Sequence, residues 1–133
     1  MRSLSFAVAI GLWASAVSFA GPAGMQASPE QSEGQALSVV RWINTVQARL
    51  VREGGKAGDI AELWEYSAKH KMRVPPGLGP EVRNGVFGAY RVSLLISQDG
   101  GQYSVIVLPE APCAKRYVSG HDGVILVAVP LGC

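Results

Sequence analysis

The apolar residues between positions 36 and 50 recur every three or four positions, which is the spacing of an amphipathic helix. The stripe consists of Ala36, Val39, Val40, Ile43, Val46 and Leu50. Polar residues between them, such as Gln47, are expected to point away from it. The segment Ser28 to Gln31 combines a capping hydroxyl, a proline and a glutamine, which indicates a helix start, and Gly54 and Gly55 end the pattern. The sequence therefore predicts one long helix.

A second, shorter helix is predicted between residues 59 and 70. Asp59 and Glu62 have the spacing of a capping box, in which each side chain accepts a hydrogen bond from the backbone N–H of the other residue. The apolar residues of this segment share one face until the pattern fails at His70. The prolines that follow exclude a continuation, and residues 75–80 form an irregular connector.

From residue 87 onward the pattern changes to the apolar alternation of half-buried strands. The predicted strands are 87–97, 102–108, a short edge strand at 116–119, and 124–129. Tight turns are predicted at Asp99-Gly100 and Asp122-Gly123. We therefore expect an α+β fold in which a long N-terminal amphipathic helix packs on a three- to four-stranded antiparallel sheet.

The first twenty residues are typical of a signal peptide. Arg2 supplies the positive charge, residues 4–17 the apolar stretch, and Ser18-Phe19-Ala20 the cleavage tripeptide. We expect cleavage after Ala20, export to the periplasm or beyond the cell, and a single domain over residues 21–133 that begins with a flexible leader at 21–27. Retention of the segment as a membrane anchor is the alternative.

The charge of the exported part argues against two classes of partner. Twelve basic side chains, less Arg2, against ten acidic ones leave a net charge of +1. Such a balance gives no electrostatic reason to bind nucleic acid or an anionic membrane. After signal cleavage no stable membrane span is expected.

The two cysteines, Cys113 and Cys133, predict one disulfide bond, because an exported chain meets an oxidising compartment and no metal-type spacing is present. The bond would close a loop of about 20 residues and stabilise the fold by about 3 kcal/mol.

Few residues are arranged for chemistry. His70 and His121 are isolated, so no zinc site is predicted, and Asp99 and Asp122 in their Gly-rich turns are weak candidates for calcium. Ser119 to Asp122 contains the residue types of a serine hydrolase, but adjacency within one turn does not form a proton relay. We expect no cofactor and no catalytic residue.

The first helix offers one candidate partner surface, at Arg41 and Trp42, on the condition that Trp42 is exposed. Tryptophan and arginine are enriched where interfaces concentrate their binding energy.

Two parts of the chain resemble bacterial type IV pilin-like and type II secretion pseudopilin-like proteins. The first is the helical segment Ser38 to Ala48, with its Arg-Trp-Ile-Asn-Thr run, and the second is the strand region that contains Gly88 to Leu94, Gly101 to Val105, Tyr117 and Gly123 to Ile125. The resemblance implies a helix packed on an antiparallel sheet and a disulfide near the C-terminal end. The prepilin leader motif with its glutamate is missing, which argues against filament assembly through a shared apolar helix.

These observations predict an exported, non-enzymatic interaction module of the bacterial cell envelope or secretion machinery, with protein partners that include pilin or secretion components. The alternative is a small secreted ligand-binding or hydrolytic domain whose site lies near the 75–87 loop and the turns at Asp99 and Asp122. A concave cleft lined by titratable groups would favour this second class.

Overall fold

The computed structural model describes residues 29–133, with side chains from residue 32 onward. The predicted signal peptide, the leader at 21–27 and the capping residue Ser28 lie outside the described residues. The elements are helices α1 (Pro29–Gly54) and α2 (Ile60–Lys69), a 3₁₀-helix (Pro80–Asn84), and strands β1 (Val86–Phe87), β2 (Tyr90–Ile96), β3 (Tyr103–Pro109), β4 (Arg116–Gly120) and β5 (Ile125–Ala128). The predicted α+β class is confirmed.

Helix α1 buries the stripe that its sequence pattern predicts. The side chains of Ala36, Val39, Val40, Ile43 and Val46 have no exposed surface and pack towards β3 and β4. The helix ends where Gly55 takes a positive φ of 74° and its N–H donates to the carbonyl of Val51. Glycine suits this position because a residue with a side chain rarely adopts that backbone conformation.

The observed orientation of the Gln47 side chain contradicts the predicted one. We expected it to point away from the apolar stripe, yet it is fully buried. Its side-chain amide donates to the Gly58 carbonyl over 2.7 Å and accepts from the Gly58 N–H over 2.9 Å. The amide takes the place of a backbone partner and joins α1 to the connection before α2, which offsets the cost of its burial.

Helix α2 begins as predicted. The Glu62 N–H donates to Asp59 Oδ1 over 2.8 Å, and the Asp59 N–H donates to Glu62 Oε2 over 2.7 Å. Leu63 is buried against α1, and the 3₁₀-helix, which we did not predict, contacts α2 and β1.

The sheet is fully antiparallel, in the order β1-β2-β3-β4-β5. Five strands replace the predicted three or four, because Gly88 at a φ of 51° reverses the chain inside what we expected to be one strand and so separates β1 from β2. The segment 116–119 was predicted as an edge strand, but the strand that contains it, β4, lies between β3 and β5. The edges are therefore β1 and β5.

Candidate functional site

Ser119 has a structural role rather than a nucleophilic one. Its buried hydroxyl accepts from Asn44 Nδ2 over 2.8 Å and donates to the carbonyl of Val124 over 2.8 Å. Asn44 Oδ1 also accepts from the Tyr103 hydroxyl over 2.9 Å, so this network fastens α1 to β3 and β4. His121 is exposed and lies outside the network. The arrangement contains no relay that could activate a serine.

The two candidate calcium aspartates stabilise their own turns. Asp99 Oδ1 accepts from the Ser97 hydroxyl over 2.6 Å and from the Gly101 N–H over 2.9 Å, and these bonds to the charged form lower the pKa of the Asp99 carboxyl. Asp122 Oδ1 accepts from the Val124 N–H over 3.0 Å. Within residues 29–133, no three His, Cys, Asp or Glu side chains come together as metal ligands would. Both residues therefore stabilise a tight turn, which is the role that Asp-Gly sequences favour.

The candidate partner surface on α1 does not form, because Trp42 is only 5% exposed. Its indole Nε1 donates to the hydroxyl of Ser67 on α2 over 3.1 Å, which fixes the ring between the two helices. Arg41 beside it is exposed. The position of Trp42 at the border of the apolar stripe allowed either orientation, and the packing of α2 against α1 decides it.

The predicted disulfide between Cys113 and Cys133 is present, with 5.6 Å between the two Cα atoms. It ties the segment after β5 to the segment before β4. Because these strands are neighbours, the bond closes the end of the sheet where β4 begins.

A groove of about 830 Å³ lies between the first described turns of α1, the start of β2 and the loop before β4. Its wall consists mostly of small and apolar residues, including Phe87, Ala89, Pro109 and Pro112. Glu33 and Tyr90 are the ionisable side chains among the described residues that line it. Burial raises the pKa of the Tyr90 phenol, as do the nearby Tyr117 and Glu33. The alternative function placed its site near the 75–87 loop and the turns at Asp99 and Asp122. Gly77 and Phe87 of that loop line this groove, whereas the two turns do not.

The side of the sheet turned away from α1, which we call the outer face, is exposed and largely apolar. Because side chains alternate along each strand, it consists of Val86, Arg91, Ser93, Leu95, Ser104, Ile106, Leu108, Arg116, Val118, Gly120, Leu126 and Ala128. Leu95 and Leu126, on β2 and β5, are 61% and 63% exposed. No element of residues 29–133 covers this face, whereas α1 covers the opposite one. The alternating sequence pattern already places these residues on one side, but the number of strands was needed to show how far the face extends.

The outer face carries positive charge and no negative charge. Its two ionisable side chains are Arg91, opposite Leu108, and Arg116, opposite Ala128. Both are exposed, and neither forms a salt bridge within the described part of the chain. The face is thus an apolar surface with two guanidinium groups available to a partner.

Comparison with known proteins adds no relative to this description. No protein-family model matches the chain, and no curated protein or solved structure matches it. The surface itself is therefore the basis for a functional proposal.

Two structural facts concern location. The disulfide is consistent with an oxidising, exported compartment. Neither α1 nor α2 combines the length and the apolar composition needed to cross a bilayer.

Proposed function

We propose that this protein is an exported, non-enzymatic, pilin-like interaction module of the bacterial cell envelope that binds a protein partner through the outer face of its sheet. The observation that carries the proposal is this face, which presents apolar residues from all five strands and two arginines. Contiguous exposed apolar surface marks interaction sites in soluble proteins, whereas scattered apolar residues do not.

The charge of the outer face defines the chemistry of the partner. Arg91 and Arg116 lie among apolar side chains, and no carboxylate of the outer face offsets them. A complementary partner therefore presents an apolar surface with at least one carboxylate near its rim, since a guanidinium binds a carboxylate through paired hydrogen bonds. Two copies of the chain packed face to face would leave these arginines without a carboxylate partner, because the outer face has none, and this disfavours self-association through the face.

Three further observations support the pilin-like and exported parts of the proposal. The segment Ser38 to Ala48, on which the resemblance depends, lies within α1. This helix packs on an antiparallel sheet, and a disulfide closes the C-terminal region, as the resemblance implies.

Mass spectrometry of the protein recovered from its native compartment should find Gly21 at the N-terminus, and a retained Met1 would refute the exported form.

A site-specific photo-cross-linker at Leu95 tests the outer face. Leu95 is exposed on β2 and distant from the edge strand β5, so a cross-linker in its place detects contacts of the outer face and not of that edge. The matched control carries the cross-linker at Glu65, which is exposed on α2. In the native host we expect a protein adduct from position 95 and none from position 65. An adduct with residues 21–28 of the same chain would refute the proposal.

The cross-linked protein is then purified and its affinity is measured. Leu95→Ser should weaken binding by about tenfold to a hundredfold, which corresponds to the loss of one buried leucine. Arg91→Glu should weaken binding as well, and the loss should diminish at high salt. Arg73→Glu makes the same charge change at an exposed position outside the sheet and should leave affinity unchanged.

Three results would contradict the proposal. The first is equal affinity of the Leu95→Ser variant and the unaltered protein. The second is binding of the unaltered protein to anionic vesicles that Arg91→Glu abolishes, which would assign the face to a membrane. The third is recovery of a small molecule and no protein, which would assign function to the groove at Phe87.

A further inference from the structure

The two edges of the sheet differ in how open they are to another strand. At one edge, β1 has only two residues and lies between Gly85 and Gly88, both with positive φ, and the 3₁₀-helix leads into it. At the other edge, β5 has four residues in a segment, 123–133, that contains no charged residue. Natural sheets protect exposed edges with charges, prolines, bulges or covering elements. The strand β5 itself has no charge and no proline, and no strand of residues 29–133 pairs with its outer side.

The hydrogen bonds of the neighbouring strands show which groups of β5 are unpaired. The His121 N–H donates to the Tyr103 carbonyl over 3.1 Å, so residues 117, 119 and 121 of the β4 segment bond to β3. Because bonding alternates along an antiparallel strand, residues 116 and 118 bond to β5. Leu126 and Ala128 are their partners. Ile125 and Val127 therefore direct their N–H and C=O groups outward, along what we call the free edge.

A second copy of the same strand satisfies these groups. In antiparallel pairing about a two-fold axis, Ile125 bonds to Val127 of the second copy and Val127 to Ile125, so both outward residues of each copy are paired. Leu126 then lies opposite Leu126 of the second copy on the outer face, in a non-hydrogen-bonded pair with about 4.5 Å between the Cα atoms.

Charge repulsion does not oppose this arrangement. The two Arg116 residues would be separated by three strand spacings across the sheet and by four residues along the strands. Together these offsets give a distance of about 20 Å between their Cα atoms. Charges at that distance are screened at physiological ionic strength, where the Debye length is about 8 Å. A different strand could also add to the free edge, but a second β5 leaves neither outward residue of either copy unpaired and brings no charged side chain to the contact.

We propose that β5 pairs antiparallel with β5 of a second copy, which forms a dimer with one continuous ten-stranded sheet. This inference does not rest on the proposed partner, because it concerns the free edge and not the outer face. A four-residue strand buries less surface than the roughly 1,200 Å² of a small stable interface, so we expect a reversible dimer with a dissociation constant in the micromolar range.

Cysteine cross-linking tests the register. In Leu126→Cys, the two introduced thiols face each other at a distance that a disulfide spans. Leu95→Cys is the matched control, since Leu95 is equally exposed on the outer face but lies on β2. With the full disulfide-bonded chain under mild oxidation, the 126 variant should form a covalent dimer at least about tenfold faster than the 95 variant, with a mapped 126–126 bond. Equal rates would overturn the proposal.

A proline tests the main-chain pairing. Val127→Pro removes an outward N–H and leaves the bonds of β5 to β4 intact, a position where edge strands tolerate proline. Sedimentation equilibrium from about 5 to about 500 µM should show a dimer dissociation constant raised at least about tenfold, since the symmetric dimer loses two hydrogen bonds. Val127→Thr keeps the N–H and the branched side chain and should dimerise normally.

Two outcomes at this stage would also overturn the proposal. One is an unaltered protein that remains monomeric throughout the concentration range, and the other is equal dimerisation of the proline and threonine variants. If circular dichroism shows that Val127→Pro has unfolded, Val127→Lys replaces it, because a lysine at the edge blocks pairing through its charge. Binding of the outer face to its partner is measured separately with Leu95→Ser, so either proposal can fail alone.

Discussion

Replacement of Gln47 by alanine should lower the free energy of unfolding more than replacement of an exposed polar residue would. Gln47 is fully buried on α1, and both functional atoms of its amide bond to the backbone of Gly58. Gly58 is buried as well, so removal of the side chain leaves its N–H and C=O without a protein partner inside the fold. A Cβ at position 58 would lie 2.9 Å from Leu50 Cδ1, which explains why glycine permits this close approach.

The magnitude follows from the two groups left without partners. A buried N–H or C=O that loses its hydrogen bond costs about 1–3 kcal/mol. Two such groups predict a loss of about 2–6 kcal/mol for Gln47→Ala, against a total stability of about 5–15 kcal/mol for a domain of this kind. The substitution slightly favours the helix itself, because alanine has the higher helix propensity. A measured loss would therefore report the buried contact and not the helix.

Chemical denaturation of the oxidised protein, followed by the fluorescence of Trp42 and Trp64, measures this loss. The matched control is Gln35→Ala, which makes the same change at an exposed position of the same helix and should alter stability by less than about 0.5 kcal/mol. Equal stabilities for the two variants would refute the argument, because they would show that the Gly58 backbone needs no partner from α1. A change in the denaturant slope would instead indicate an altered unfolded state.

Two further predictions concern the disulfide and the buried phenols. Replacement of both Cys113 and Cys133 by serine should lower the free energy of unfolding by about 3 kcal/mol, as expected for a loop of 20 residues, and a loss near zero in denaturation experiments would show that the loop is already constrained. Burial, and secondarily the charge of Asp122, raises the pKa of the Tyr103 phenol, so the folded protein holds this proton more tightly than the unfolded chain does. The resulting contribution to stability is complete below about pH 10 and is lost as the pH rises through the folded-state value. Denaturation midpoints measured from pH 8 to pH 11 should fall with a smaller slope in Tyr103→Phe, although this variant should be about 0.5–1.5 kcal/mol less stable at pH 7 because it loses the bond to Asn44. Identical slopes in the two proteins would contradict the assignment to Tyr103.

The sequence predicts those parts of the fold that local chemistry controls. The apolar stripe of α1, the capping box at Asp59 and the turn at Asp99 each depend on residues close together in the chain, and all three are present. The place of β4 inside the sheet could not be predicted, because its short segment has the same pattern at an edge or in the middle. Which strands become neighbours depends on contacts between residues distant in sequence.

The candidate site required the same long-range information. Trp42 and Gln47 both lie at the border of the stripe on α1, and the packing of α2 and its connection against this border buries them. Their burial removes the surface we expected on α1. The outer face was visible in the alternating pattern of the strands, but that pattern could not show that one helix covers a single side of a five-stranded sheet.

The outer face and the free edge make different demands on a partner, and this difference separates two ways in which the protein could act. Strand pairing at β5 uses main-chain groups in the plane of the sheet and leaves the outer-face side chains of Arg91 and Leu95 available. If the partner binds the outer face while β5 joins two copies, the dimer presents two sites side by side, and a partner with two contact points gains affinity through effective concentration. If the partner instead supplies a strand to the free edge, its binding and dimerisation exclude each other. Partner affinity measured above and below the dimer dissociation constant should therefore rise in the first case and fall in the second.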